Sequence, residues 1–292
     1  MYKIAILGCE NSHANNFLSQ IIEQKRYPDI EVVGVYSNEP AAAEKLHEKF
    51  GVAVASEPDA FVGKIDGLVI TARDGANHYP YAKPYIESGV PMFIDKPITC
   101  DDDEAIDFMK ALKAGGVRVT GGSSCIHSDD VRSVKEALLT DTEGGPILAG
   151  HLRAPLLSSS PYGGVFFYAQ HLVQIMQEVF GYYPETVYAT KKSETVTVIF
   201  GYPEYDVVGL FADRNFSLYT LTVQREKTAI HTSLTVDQTC FDREFTEFYE
   251  LMKGGAQKQS YRDFIAPVFV MTALVRSLAS GKTETVCRSE EI

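Results

Sequence analysis

The sequence predicts an α/β chain in two parts. Residues 1–122 should form a doubly wound parallel sheet, and residues 123–292 an α+β domain with a mainly antiparallel open sheet. Three observations carry this. Short apolar strands alternate with helical patterns through residues 1–121, the signature of βαβ units. From Val187 onward, short β-rich runs follow one another with turn residues between them and no helix long enough for a parallel crossover. The apolar run Val90 to Ile94 ends abruptly in Asp95-Lys96-Pro97. A buried parallel strand ends this way when proline takes the chain out of the sheet.

In chain order, Ile4 to Leu7 is a short strand ending at Gly8, and a helix with Phe17, Ile21 and Ile22 on one face follows. Ile30 to Tyr36 is the second strand. Ser37 or Asn38 caps the next helix, Pro40 suits its first turn and Gly51 stops it. Gly67 to Thr71 is the third strand. A helix spans Tyr79 to Ser88, with a kink expected at Pro84. After the Asp-Lys-Pro strand, Asp101 and Glu104 form a capping-box start, and Gly115-Gly116 ends that helix. Val117 to Thr120 is the last strand of the first part. In the second part, Ser128 to Leu139 and Val165 to Phe180 read as helices, and Ile147 to Arg153 as a strand. Val187 to Thr190, Val196 to Phe200, Val207 to Phe211, Phe216 to Val223 and Ala229 to Leu234 read as further strands. Helices Phe241 to Met252 and Tyr261 to Leu278 close the pattern.

The bulk numbers narrow the function. A net charge of −12 argues against nucleic acid or an anionic membrane surface as partner. Five scattered cysteines without a C-x-x-C pair fit a reducing cytoplasm and argue against disulfides or a zinc site. No apolar run reads as transmembrane length. Ile6-Leu7-Gly8-Cys9 resembles a lipoprotein cleavage site, but its apolar run is too short for a signal sequence and reads as a strand. No cluster of His, Cys and carboxylate has metal spacing, so no metal is predicted.

The strand end at Asp95-Lys96 is where open α/β sheets bind ligands. The run from His78 through Gly89-Val90 to Asp95-Lys96-Pro97, together with Gly163-Gly164 leading a helix to His171, resembles the glucose–fructose oxidoreductase / inositol dehydrogenase (Gfo/Idh/MocA) family. The resemblance covers essentially the whole chain. It implies an N-terminal Rossmann domain, NAD or NADP as cofactor, and hydride transfer to or from a sugar-like, polyol or related carbonyl substrate. It also implies a homo-oligomer, dimer or tetramer. Lys96 and His171 occupy the family's matching catalytic positions. Tyr168, at i−3 from His171, shares its helix face and is expected to take part of the role of the aspartate that the family carries where Phe167 stands here.

The cofactor is expected on Gly8, Asn11, Ser12, His13, Ser37, Thr71, His78, Asp95 and Lys96. His127, Arg153 and Tyr162 are candidate substrate contacts. The fingerprint Gly-x-Gly-x-x-Gly reads Gly8-Cys9-Glu10-Asn11-Ser12-His13, so only its first glycine survives. Glu10 is expected to repel a pyrophosphate, and Glu10→Gly to tighten binding. The second strand ends without an acid for NAD or an arginine for NADP. Two other classes remain open: a ligand sensor that has lost the cofactor, and a non-redox lyase or hydrolase using the same cleft.

Overall fold

The computed structural model describes residues 1–287. Five strands form the first sheet: β1 (Tyr2–Leu7), β2 (Ile30–Tyr36), β3 (Gly67–Ile70), β4 (Met92–Asp95) and β5 (Val119–Gly122). They are all parallel, in the order β2-β1-β3-β4-β5. The order reverses beside β1, so the carboxyl ends of β1, β3 and β4 open onto one crevice. The apolar runs of β1, β3 and β4 are buried on both faces, as interior parallel strands require.

The connecting helices are α1 (Ser12–Leu18), α2 (Pro40–Phe50), α3 (His78–Ala82) and α4 (Asp102–Ala114). Several differ from the sequence reading for local reasons. α1 passes into a π-helical segment, Ser19–Glu23. Glu39, rather than Ser37 or Asn38, stands at the N-cap position of α2 but makes no side-chain capping bond, with Pro40 in the first turn and Gly51 left-handed at the end. Pro84 does more than kink its helix. Without an N–H it cannot continue the α pattern, and Lys83–Ser88 is a 3-10 helix. The Asp101 side chain accepts from the Glu104 amide, but the Glu104 carboxylate binds the Thr99 hydroxyl and does not complete the capping box.

The second half begins with a 3-10 turn, Ser124–His127, and α5 (Asp129–Thr140), capped by Ser128. β6 (Ile147–Pro155) and α6 (Val165–Phe180) follow, then β7 (Thr186–Lys192), β8 (Thr195–Gly201), β9 (Asp206–Ala212), β10 (Tyr219–Arg225) and β11 (Ala229–Leu234). The short β12 (Glu284–Thr285), which no sequence pattern marked, completes a seven-stranded sheet ordered β11-β10-β6-β9-β8-β7-β12. Its pairings are antiparallel except β6 with β9. Phe216 and Leu218 precede β10 and are exposed rather than part of the strand. Burial alternates along β8 and β9, so one face of the sheet is covered and the other open.

Two last helices tie the halves together. α7 (Gln238–Met252) belongs to the second half by sequence but packs beneath the first sheet. Phe245, Phe248 and Met252 share a core with Ile4, Ile6, Phe17, Val69 and Phe93. The approach is close: a Cβ on Gly67 would lie 2.5 Å from the Met252 sulfur. α8 (Tyr261–Ser280) is long and apolar enough to cross a membrane by length and composition, which the sequence reading passed over. Most of that surface is buried, in the core that it shares with α6 and β7.

Candidate active site

The turn after β1 is built around Gly8. Its φ is +71°, and a Cβ there would lie 2.4 Å from the Ala72 backbone, so only glycine fits. Thr71 Oγ1 donates to the Gly8 carbonyl at 3.0 Å. Asn11 caps α1 by accepting from the Ser12 amide at 2.7 Å, and Ser12 itself is exposed. Glu10 does not point at the crevice as expected. It is buried, and its carboxylate accepts from Ser37 Oγ at 2.6 Å and from the Arg73 amide at 2.9 Å. It therefore braces the loops after β1, β2 and β3 against one another. Two hydrogen bonds to a charged acceptor are worth about 1.5–3 kcal/mol each, against about 1 kcal/mol for a like-charge contact in solvated surroundings. The brace outweighs the repulsion, and Glu10→Gly should weaken the turn rather than improve it.

At the end of β4, Asp95 is fully enclosed. It accepts from its neighbour's amide, Lys96 N–H, at 2.7 Å and from Asn11 Nδ2 at 2.7 Å, and it pairs with His13. Lys96 is 4% exposed, and its Nζ lies 4.5 Å from the ring centre of Phe167. An ammonium over an aromatic face is a favourable contact. The aromatic at the place of the family's aspartate thus becomes the bed for the lysine. His78 is enclosed, with Nε2 2.9 Å from the Ala72 carbonyl. Its ring supports the loop after β3, and any effect on a cofactor would pass through that loop.

His171 comes from α6, and its ring reaches the end of β5. Nδ1 is 2.6 Å from Ser123 Oγ and 3.4 Å from Cys125 Sγ. Burial, then the charges of Lys96 and His13, hold its pKa well below the usual histidine value, so the imidazole is neutral near pH 7. Burial pushes the Cys125 thiol up to about 12, which leaves it protonated. Tyr168 lies edge-on to His171, with ring centres 5.1 Å apart. Its hydroxyl interacts with Tyr219, and the hydrogen-bond partner of His171 is Ser123. Gln174, one turn further on, accepts from the Ser123 amide at 2.6 Å and locks α6 to this turn.

The three substrate candidates separate. Tyr162 spans the crevice, donating to Glu39 Oε1 at 3.1 Å and accepting from Arg73 at 3.1 Å. Arg153 gives its donors to the backbone carbonyls of Arg214, Asn215 and Leu218, so the 213–218 loop consumes them. His127 faces Glu247 in a different cavity of about 870 Å³, which Lys96 and His171 do not line. Ser123, Arg73 and Glu244 were not singled out from sequence. The Gly121-Gly122-Ser123 break after β5 was a usable signal for Ser123; nothing local marked the other two. Among the described residues, no group of three His, Cys, Asp or Glu side chains is placed to hold a metal ion.

A five-stranded parallel sheet with a glycine turn at its switch point has the architecture of an NAD-binding Rossmann fold, and a lysine and a histidine from opposite halves of the chain meet beside it. Residues 2–123 match the model of the Gfo/Idh/MocA family, described as "Oxidoreductase family, NAD-binding Rossmann fold". The fold extends over the rest of the chain in solved structures. A myo-inositol dehydrogenase from Corynebacterium glutamicum ATCC 13032 is 17% identical, with 99% and 100% of the two chains covered and a TM-score of 0.81. Apo scyllo-inositol dehydrogenase from Lactobacillus casei is 13% identical, with 98% of each covered and a TM-score of 0.84. The WlbA dehydrogenase of Bordetella pertussis, in complex with NADH and UDP-GlcNAcA, is 16% identical, with 99% of each covered and a TM-score of 0.81. A curated relative from Amycolatopsis mediterranei (strain S699), provisionally named a UDP-kanosamine synthase oxidoreductase subunit, is 23% identical over 130 residues. That match covers 44% of this chain and 36% of the relative.

Proposed function

We propose that the chain is an NAD(P)-dependent oxidoreductase acting on a sugar-like, polyol or related carbonyl substrate, with Lys96 and His171 handling the reacting oxygen and its proton. The observation that carries this is the meeting of β4 and α6. Lys96 rests on Phe167, one turn before His171, and its charge is felt at the imidazole. The Gly8 turn fits a dinucleotide, because the Glu10 carboxylate is folded away into Ser37 and Arg73. Glu39, the acid nearest the end of β2, favours NAD over NADP by repelling a 2′-phosphate. NAD, when bound, supplies or accepts the hydride.

The protein's part is orientation and proton transfer. The Lys96 ammonium polarises the substrate oxygen. A neutral His171 takes the hydroxyl proton at Nε2 while Nδ1–H donates to Ser123 Oγ. A serine hydroxyl lacks the charge that would stabilise the imidazolium, so the proton is readily passed on and a modest intrinsic rate follows. Sugar-like substrates are supported by the names of the structural relatives. The open face of the seven-stranded sheet, with Tyr188 and Ile199 exposed, supports a homo-oligomer.

Titration with NADH and NADPH, followed by nicotinamide fluorescence, tests the reading. A screen of polyols and sugar nucleotides for NADH production comes next. NADH binding with turnover of one such compound is expected; no binding of either nucleotide would remove the proposal. Light scattering tests the oligomer, and a mass near the monomer's 32.3 kDa would contradict it.

A further inference from the structure

A charged cluster lies behind Lys96 that hydride transfer does not call on. His13 stands where the third glycine of the fingerprint would be, and its ring is inserted between α1, the end of β4 and α7. Phe17 and Phe241 enclose it, with ring centres 5.7 and 5.0 Å away. Nδ1 is 3.2 Å from Asp95 Oδ2, and Nε2 is 3.0 Å from Glu244 Oε1. Asp95 is 0% exposed, His13 3% and Glu244 1%. Neither ring nitrogen and neither Glu244 oxygen has another hydrogen-bond partner; what each ring nitrogen meets is a carboxylate oxygen.

A neutral imidazole has one N–H and cannot offer a proton to both acids. Two enclosed carboxylates and one charged ring leave a single negative charge, which the neighbouring Lys96 ammonium offsets. We infer that His13 is a buried imidazolium shared by Asp95 and Glu244, and that this triad is a positioning device that fixes the Asp95–Lys96 strand end against α7. It deepens the oxidoreductase reading and rests on it for the role of Lys96. His13 and Glu244 are positioning residues: neither lines the crevice, and each acts through Asp95.

The surroundings agree. Burial alone would lower the His13 pKa, but Asp95 and then Glu244 reverse it and raise the value. Burial raises Glu244 to about 7 despite His13. The titratable groups facing Glu244 are His13 from α1, Asp95 and Lys96 from the end of β4, Cys125 from the 124–127 turn, and Cys240 on its own helix. Asp95 is tied at the same time to Asn11 and to the Lys96 amide. A change in the ring's charge therefore reaches the lysine backbone through one side chain.

The test uses the full-length protein with ¹⁵N-labelled histidine. His13→Gln identifies the His13 signals by their loss. In wild type both His13 ring nitrogens should read as imidazolium at pH 7, while His171 reads as neutral. Glu244→Gln should lower the His13 midpoint by about one pH unit or more. It should also displace the pH profile of Lys96 acetylation, followed by competitive labelling and peptide mass spectrometry. A neutral His13 at pH 7 in wild type would overturn the charge assignment, and an undisplaced Lys96 profile in Glu244→Gln would overturn the positioning role. NADH titration of the same samples reads the oxidoreductase proposal separately, because these NMR and labelling results need neither nucleotide nor substrate.

Discussion

His13 and His171 are 3% and 7% exposed, yet their surroundings drive them to opposite charge states. His13 lies between two carboxylates and its pKa rises. His171 lies against a serine hydroxyl and a thiol, with Lys96 and His13 supplying positive charge, and its pKa falls. Burial alone opposes charge on either ring. The partners decide, and they divide the labour: a ring held charged suits anchoring, and a ring held neutral suits taking a proton. The two are coupled, since the His13 charge is one of the causes that depress His171.

The sharpest break between them should appear in catalysis. Lys96→Ala and His171→Ala should each lower kcat by roughly 10²–10⁴-fold, the usual contribution of a positioned proton-transfer group. NADH affinity should stay within a few-fold, because neither side chain is part of the Gly8 turn. Fluorescence titration and single-turnover absorbance separate the two effects. Wild-type rates in both variants would remove the assignment.

Stability against pH should split the pair next. The His13 pKa is raised, so the stability that it contributes is complete below its unfolded value of 6.5 and is lost as pH rises through the folded value. Glu244, raised from 4.5 to about 7, loses its contribution across that interval in the same direction. His171 is lowered, so its contribution is present above 6.5 and is lost as pH falls through its folded value. His78 and His127 follow His171. Glu244→Gln should therefore gain on wild type in Tm as pH rises from about 4.5 to about 7. Parallel Tm curves for the two proteins would argue against a titrating Glu244.

Much of this contrast was out of reach of sequence. The parallel sheet, α6 and the Lys96 strand end were legible because they depend on local periodicity and on proline and glycine. His13 and His171 could be named as candidates for the same reason. The His13 charge depends on Asp95 and Glu244, 82 and 231 residues away along the chain, and that of His171 on Lys96, 75 residues away, and no local pattern encodes such contacts. Glu10 shows the same limit. A charge in a glycine fingerprint reads as repulsion until Ser37 and the Arg73 amide are seen to donate to it and form a brace. Tyr162 was readable as a crevice residue, but its bridge from Glu39 to Arg73 joins loops that sequence leaves unconnected.

The brace yields the third prediction. Glu10→Gln keeps an acceptor for the Arg73 amide but removes the charge, and Glu10→Gly removes both. NADH affinity should fall by roughly tenfold in Glu10→Gly and by less in Glu10→Gln, since about 1.4 kcal/mol, only part of what the two lost charge-assisted bonds hold, need reach the nucleotide. Tighter binding in Glu10→Gly would restore repulsion as the larger effect.

The smallest effects concern what orients His171. Ser123 Oγ accepts from the Cys125 amide at 3.2 Å and lies 2.6 Å from Nδ1. With the ring proton on Nδ1, it accepts from Nδ1–H in both the neutral and the charged ring and leaves Nε2 free to take the proton. Ser123→Ala removes that partner and leaves Nδ1 enclosed beside Cys125. A net hydrogen bond of about 1 kcal/mol corresponds to roughly fivefold in kcat. Tyr168 contributes differently. Its ring meets the His171 ring edge-on, while its hydroxyl engages Tyr219. Tyr168→Phe keeps the ring contact and loses only the distant hydroxyl, so kcat should stay within about twofold. The expected order is therefore Ser123→Ala below Tyr168→Phe in rate, with both above His171→Ala. The reverse order, with Tyr168→Phe the slower, would mean that the phenol and not the serine hydroxyl carries the missing aspartate's role.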